Sequence, residues 1–341
     1  MKTFKPFLMA VVALVAGLGQ RLNAMLFGYM ASQGMVLCAA PMRSTDFRSV
    51  VEPILNEVFD GVYDQRADEW KQVFNEQKGI ARTYHEEPVL YGFGAAPELP
   101  DGMAVTYQSG GVLFNQRYTY KVYGLAFALT KVLVEDGDHI RIGQTYAKHL
   151  AQSLIETKET LCANILNRAF NASYVGGDGV SLVSGSHPLV NGTFSNQLST
   201  AAALSQTSLE QLLIQIRNAV DNNGKRIRLT PQKIVTGPSN VFQAEVLLKS
   251  TLRTGTADND INPVKSMNLL SGGQANLSRI TSTTMWGIQT DASEGLKLMM
   301  RRKLDKSMEG DFETDSMRYK ATERYGVGWT DPRGFFGTPG V

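Results

Sequence analysis

Four histidines and two cysteines are the residues best suited to chemistry in this chain, and their neighbours decide what each could do. His139 closes the run EDGDH, with Glu135, Asp136 and Asp138 beside it, so three carboxylates and an imidazole could surround a divalent cation. The run lacks the ordered oxygen spacing of a calcium loop. A solvated turn of acids ahead of a helix, where the helix dipole favours negative charge, is the reading adopted. His85 stands next to Glu86 and Glu87 with no further partner at a recognisable spacing. His187 precedes Pro188 in GSHPLV, the pattern of a loop histidine in extended backbone.

The glycines of VGGDGVSLVSG lack the GxGxxG order, and no Gly-Lys-Ser/Thr follows them, so no phosphate loop is read there. The chain contains neither a GxSxG elbow nor HExxH. Cys38 and Cys162 supply neither a disulfide framework nor a metal cluster. Cys162, within LCANILNRAF, reads as a core residue. The basic cluster Arg301, Arg302 and Lys303 is followed by Asp305, Glu309, Asp311 and Glu313, an amphoteric surface suited to complementary patches. No catalytic, cofactor-binding or metal-ligating residue is nominated. The expectation is a protein that is not an enzyme and uses no cofactor.

The bulk numbers agree with a globular protein that binds no nucleic acid by design. In 341 residues, 43% are apolar and 19% charged, and the formal net charge is +2. The beginning differs from the rest. After Lys2 and Lys5 comes FLMAVVALVAGL, an apolar run too short for a membrane span of roughly 20 residues and suited to a signal-peptide core. The stretches ending at Ala24 and Ala40 are poor cleavage sites, and Leu37 before Cys38 spoils a lipoprotein signal. Met25, Met30, Met35 and Met42 offer later starts, and from Met42 the composition is globular. Residues 1–41 are therefore read as an apolar leader from a mis-assigned start, with an export signal as the alternative.

The elements follow from periodicity. Residues 44–79 carry apolar positions three or four apart and predict helix, with breaks at Gly61 and Gly79. MAVTYQ and VLFNQRYTYKV, joined by the glycine turn Ser109–Gly111, predict a hairpin. Its second arm changes sides. In RYTYKVYGLAFALTKVLVEDG the apolar residues fall on even numbers up to Val122 and on odd numbers from Tyr123. Since alternate side chains of a strand point to opposite faces, two readings stand. Either the part before Val122 packs on a neighbouring subunit and the rest in its own core, or one sheet contains a bulged strand. If extended from Val112 to Val134, this arm would span roughly 75 Å, beyond the roughly 50 Å of a compact domain.

Asp136-Gly137-Asp138 predicts a turn and residues 143–170 a long helix with one apolar stripe. Thr207-Ser208-Leu209-Glu210 reads as a capping box opening a helix that ends at Asn222–Gly224. RIRLTPQKIVTG predicts a strand, and PSNVFQAEVLLKS a helix with Pro238 in its first turn. IQTDASEGLKLMMRR and DSMRYKATERYGVGW predict further strands.

The order of these features resembles a known family. TYKVYGLAFALTKVLVEDG running into GQTYAKHLAQSLIETKETLCANILNRAF resembles the major capsid (head) proteins of tailed bacteriophages, in which an extended hairpin feeds a long spine helix. GVSLVSGSHPLVNGTFSNQLS and the closing ERYGVGWTDPRGFFGT are similar to segments of the group that includes Mu-like major head subunits. The resemblance covers residues 44–338. It implies an α+β phage major-capsid fold: an N-terminal arm (42–83), an extended β-hairpin loop with linking strands (84–135), a peripheral domain with the spine helix (136–225), a central axial domain (226–310) and a return to the peripheral domain (311–341). It implies a structural subunit of an icosahedral bacteriophage head, assembling into hexamers and pentamers that enclose the DNA genome. The partners implied are further copies of itself, scaffolding or portal proteins, and packaged DNA non-specifically, with no membrane. The location implied is the virion, after assembly in the bacterial host cytoplasm. An exported bacterial binding or surface protein using residues 1–40 as a signal is the alternative. Some family members carry lysine–asparagine crosslinks, and Lys121 and Lys131 lie near the hairpin. No partner for them is assigned, and a shell without covalent crosslinks is expected.

Overall fold

The computed structural model describes residues 44–341, apart from 66–67, 79–81, 131, 134–135, 137–138, 254–259, 312 and 315, with the backbone alone at 44–50. The apolar leader, Cys38, Lys131 and most of the EDGDH turn lie outside the described residues. The chain divides into two compact units, Met1–Val51 and Glu52–Val341, and of the first only the beginning of a helix is described.

In chain order the elements are α1 (Ser44–Gln65), a 3-10 turn (Glu69–Gln72), β1 (Asn75–Gln77), β2 (Tyr84–Tyr91), β3 (Gly111–Thr119), β4 (Lys121–Leu129) and α2 (His139–Asn167). There follow β5 (His187–Pro188), β6 (Thr193–Phe194), α3 (Gln206–Arg217), β7 (Pro231–Thr236), α4 (Val241–Lys249), α5 (Pro263–Ser266), β8 (Gln274–Asn276) and β9 (Trp286–Thr290). Two long strands, β10 (Leu296–Asp311) and β11 (Ser316–Trp329), and the short β12 (Phe335–Thr338) close the fold.

Three helix expectations need correction. Gly61 does not break α1, and the segment after it forms the 3-10 turn and β1 instead of a second helix. The spine helix α2 runs 139–167, starting four residues before the expected 143, and its 29 residues give a rod of roughly 43 Å. The N-cap of α3 is Ser205, not Thr207. Its hydroxyl accepts from the Ser208 N–H while the Ser208 hydroxyl takes the Ser205 N–H, so serine fills the role that Glu210 was expected to play.

A four-stranded sheet, ordered β1-β10-β11-β4, lies against the spine helix. Strand alternation supplies its buried face: Tyr319, Ala321, Glu323 and Tyr325 of β11 are all covered. Glu323 is tolerated there because Lys158 of α2 reaches it at 2.8 Å and the Tyr63 hydroxyl of α1 donates to it. A second sheet, ordered β12-β9-β7-β8, is buried on both faces. Ile234, Trp286, Ile288 and Phe336 face a core built with α3 and α4. Val235, Ala275 and Phe335 face the other way, toward Cys162 and Leu166 of the spine helix. Cys162 is thus a core residue, and burial pushes its thiol well up from the ordinary range.

The change of sides near Val122 has a simple cause. The arm is two nine-residue strands that meet at Tyr120 and belong to different sheets: β3 pairs with β2, and β4 pairs with β11. Two faces are served, as one reading held, but both lie in the same molecule. On β10, Leu298 joins the helix-facing core while Met299 points to the opposite face, where Tyr118 and Tyr120 cover it. Gly328 makes this possible, because a Cβ there would stand 2.6 Å from the Tyr118 ring. Tyr118 and Tyr120 are therefore buried within their own chain, contrary to the first of the two sequence readings.

A candidate assembly interface

The ribbon of β2 and β3 is antiparallel, pairing Tyr84 with Thr119 and Tyr91 with Gly111. Its first strand is thus YHEEPVLY, while MAVTYQ, the expected first arm, lies in the connecting loop 92–110. Two sets of contacts seat the ribbon on its own chain. At the base, Lys297 of β10, 0% exposed, holds Glu87 at 2.6 Å and also binds Glu294. Thr330 donates to the same Glu87 oxygen, and the Tyr118 hydroxyl hydrogen-bonds Thr330. Burial pushes the Glu87 carboxyl up, but the hydrogen bonds from Lys297 and Thr330 outweigh it and hold it below the usual range. At the far end, the Asn222 and Asn223 side chains donate to the carbonyls of Leu90 and Gly92, and Lys225 donates to that of Phe93.

Beyond Phe93 the cover ends. Residues 94–110 are exposed throughout, including Leu99, Met103, Val105 and Tyr107, the last at 95%. The loop curls round an open cup of about 470 Å³ lined by its own Phe93, Pro97, Leu99, Val105 and Tyr107, steadied by the Gly94 N–H donating to Gln108 at 2.8 Å. Single exposed apolar side chains are ordinary, but a contiguous set on one loop marks a contact surface.

Two of the four histidines bear on the ribbon, and His149 is an exposed residue of the spine helix. His85 lies 3.3 Å from Glu87, two residues along the same strand and one of the two acids beside it in the sequence. His187 is buried beneath the ribbon, not free in a loop. Its Nδ1 lies 2.6 Å from Asp178 and its Nε2 3.0 Å from Asn196 Oδ1. The Asn196 amide donates to the carbonyls of Leu182, Pro332 and Phe335, which fixes its orientation and leaves Oδ1 to accept. The ring therefore donates at Nε2, and the residues of SGSHPLV and FSNQLS are there to fasten one loop to another. His139 opens the spine helix. Among the described residues no group of three His, Cys, Asp or Glu is placed to hold a metal ion. Arg302, within the basic cluster, donates to Thr322 across the β10–β11 pair.

Glu159 of the spine helix accepts the N–H groups of Glu69 and Trp70, at 2.7 and 3.0 Å, and so caps the 3-10 turn. Burial pushes its carboxyl up to about 7, with Glu69 and Asp68 adding to the rise and the two N–H donors opposing it. A folded value above the unfolded 4.5 means that the native state holds more protons between those limits, so stability falls as pH rises across that window. Glu159→Gln is expected to flatten this part of the stability–pH profile, measured by urea denaturation from pH 4 to 8. A wild-type profile already flat between pH 5 and 7 would contradict the assignment.

The spine helix against one sheet, the two-faced second sheet and the clamped ribbon define a phage-capsid fold. The chain shares it with the capsid structure of the cyanophage P-SCSP1u, at TM-score 0.53 and 11% identity over 81% of this chain and 89% of that one. A virus-like particle from Pyrococcus furiosus (TM-score 0.49, 10% identity, 84% and 98% covered) and the mature capsid of bacteriophage PhiM1 (0.48, 11%, 80% and 87%) are also similar. No curated protein sequence matches. The family described as phage capsid protein matches residues 115–337, and the chain belongs to it. It is a structural capsid subunit of a bacteriophage virion.

Proposed function

We propose that this chain is the major head subunit of a tailed bacteriophage, closing into hexamers and pentamers that tile an icosahedral shell around packaged DNA. The observation that carries the reading is the loop 93–108: a ribbon firmly held by its own chain ends in apolar side chains that its own chain leaves bare. Rotational closure through head-to-tail contacts would cover such a loop in every copy, and many modest contacts made together give a strong shell. Within the family, membership of the Mu-like group is proposed on the resemblance of the segments SGSHPLV and FSNQLS.

In this reading residues 136–225, with the spine helix, and the return at 311–341 form the peripheral domain, and residues 226–310, with β7, α4, β8 and β9, the axial one. Scaffolding or portal proteins would be further partners, with assembly in the host cytoplasm. DNA would be touched only non-specifically and in a salt-sensitive way. The protein would have no catalytic role. Among the described residues no helix is long and apolar enough to cross a membrane. Electron microscopy of the purified protein tests the proposal: rings or closed shells are expected, and a protein that stays monomeric at every concentration and salt would refute it.

A further inference from the structure

We infer that Asn223 is a self-modification site: it deamidates through the backbone nitrogen of Gly224, and the docked ribbon keeps that reaction shut. A copy whose ribbon stays undocked thereby acquires an irreversible mark. The chemistry is that of the isolated chain and does not depend on the shell reading.

The chain contains two Asn-Gly pairs, Asn191-Gly192 and Asn223-Gly224. Glycine favours the reaction because no side chain hinders the approach of its nitrogen. That nitrogen attacks the side-chain carbonyl carbon of the asparagine. The new N–C bond replaces the bond to the side-chain nitrogen, which leaves as ammonia and carries off the proton of the glycine amide. Water then opens the cyclic imide at either carbonyl and gives aspartate or isoaspartate. Both groups must be free for this: the glycine N–H to lose its proton, and the asparagine amide to turn toward it.

The two pairs differ in that respect. Asn191 is exposed in the turn between β5 and β6, and neither its side chain nor the Gly192 N–H has a hydrogen-bond partner among the described residues. At Asn223 both groups are held. The Gly224 N–H donates to the Asp221 carbonyl at 3.1 Å, in a turn whose Asp221 carboxylate also accepts from the N–H groups of Asn223 and Lys225. The Asn223 amide donates across to the ribbon, 2.7 Å from the Gly92 carbonyl oxygen and 3.3 Å from that of Phe93. Gly224, at φ +83° with open space where a Cβ would stand, offers no steric bar once these bonds open. Bonds within a surface turn open readily, so the ribbon is the deciding lock. The product acts on the same contact. A carboxylate at 223 accepts and cannot donate, so it would face two carbonyl oxygens with no proton between them. A ribbon left undocked until the reaction has run then cannot seat fully again.

Peptide mass spectrometry of the full chain, kept unassembled at pH 8 and sampled over time, reads both sites at once with Asn191 as the internal standard. Asn223 is expected to react about tenfold or more slowly than Asn191, since its hydrogen bonds have to open first. Lys297→Met, or the milder Thr330→Val should that variant fail to fold, loosens the ribbon at Glu87 and is expected to remove most of the protection. Asn223→Asp, which writes the product into the chain, is expected to raise amide hydrogen exchange along β2 and β3 about threefold or more, through the lost donor. Equal rates at the two sites in the parent chain, or protection that persists in both ribbon variants, overturns the gated site. Unchanged exchange in Asn223→Asp overturns the mark.

Discussion

Deleting residues 94–108 is expected to leave a subunit that folds with unchanged melting behaviour and forms no particles. The deletion leaves Gly92, Phe93, Ser109 and Gly110 to join Tyr91 to Gly111, and four-residue hairpin connections are common. The ribbon keeps its whole ladder, its clamp at Lys297 and its ties to Asn222, Asn223 and Lys225. What disappears is the uncovered apolar surface. Circular dichroism and analytical ultracentrifugation separate the outcomes. Particles that still form in normal yield would show that the loop is not the contact. The limits of the deletion matter: removing Gly102–Gln116 instead would take away six residues of β3 and unseat the ribbon.

Replacing Lys297 is expected to have the largest effect on stability. Lys297→Met keeps the length of the side chain and removes the charge that Glu87 and Glu294 share. A mostly buried carboxylate would then face Thr330 and Tyr118 without its cation, and breaking a buried pair from one side costs about 3–5 kcal/mol. Urea denaturation at pH 7 measures it, and a loss below about 1 kcal/mol would mean that water reaches Glu87 freely. The double variant Lys297→Met with Glu87→Gln should recover part of the loss, because it removes the unpaired charge as well. The lowered Glu87 value implies that the clamp is intact above the ordinary carboxylate range and weakens as pH falls through the folded-state value.

Elements with an uninterrupted apolar stripe were legible in the sequence: the spine helix, β10 with β11, and the change of sides near Val122 all show in periodicity. The ribbon's first strand was not, and the reason is chemical. In YHEEPVLY the half-covered face carries His85, Glu87, Val89 and Tyr91, and Glu87 contacts both His85 and Lys297, so an apolar count sees no strand. Pro88 disguised it further, although proline is tolerated at the edge of a two-stranded ribbon. MAVTYQ misled in the opposite direction. Its alternating apolar residues look like a strand's buried face, yet they are exposed, and their cover belongs to another molecule in the function proposed. One signal could have exposed the clamp: Lys297 interrupts the apolar run of GLKLMM, and a lone lysine inside a buried strand demands a carboxylate.

The sheet with two covered faces has a mechanical consequence. Sliding β9 by one residue against β7 would turn Trp286 and Ile288 away from one core and into the other, leaving a void on one side and a steric clash on the opposite side. Shear along that plane is therefore forbidden, and the subunit centre behaves as a stiff plate. Curvature demanded of neighbouring copies has to be absorbed by bending at its connecting loops.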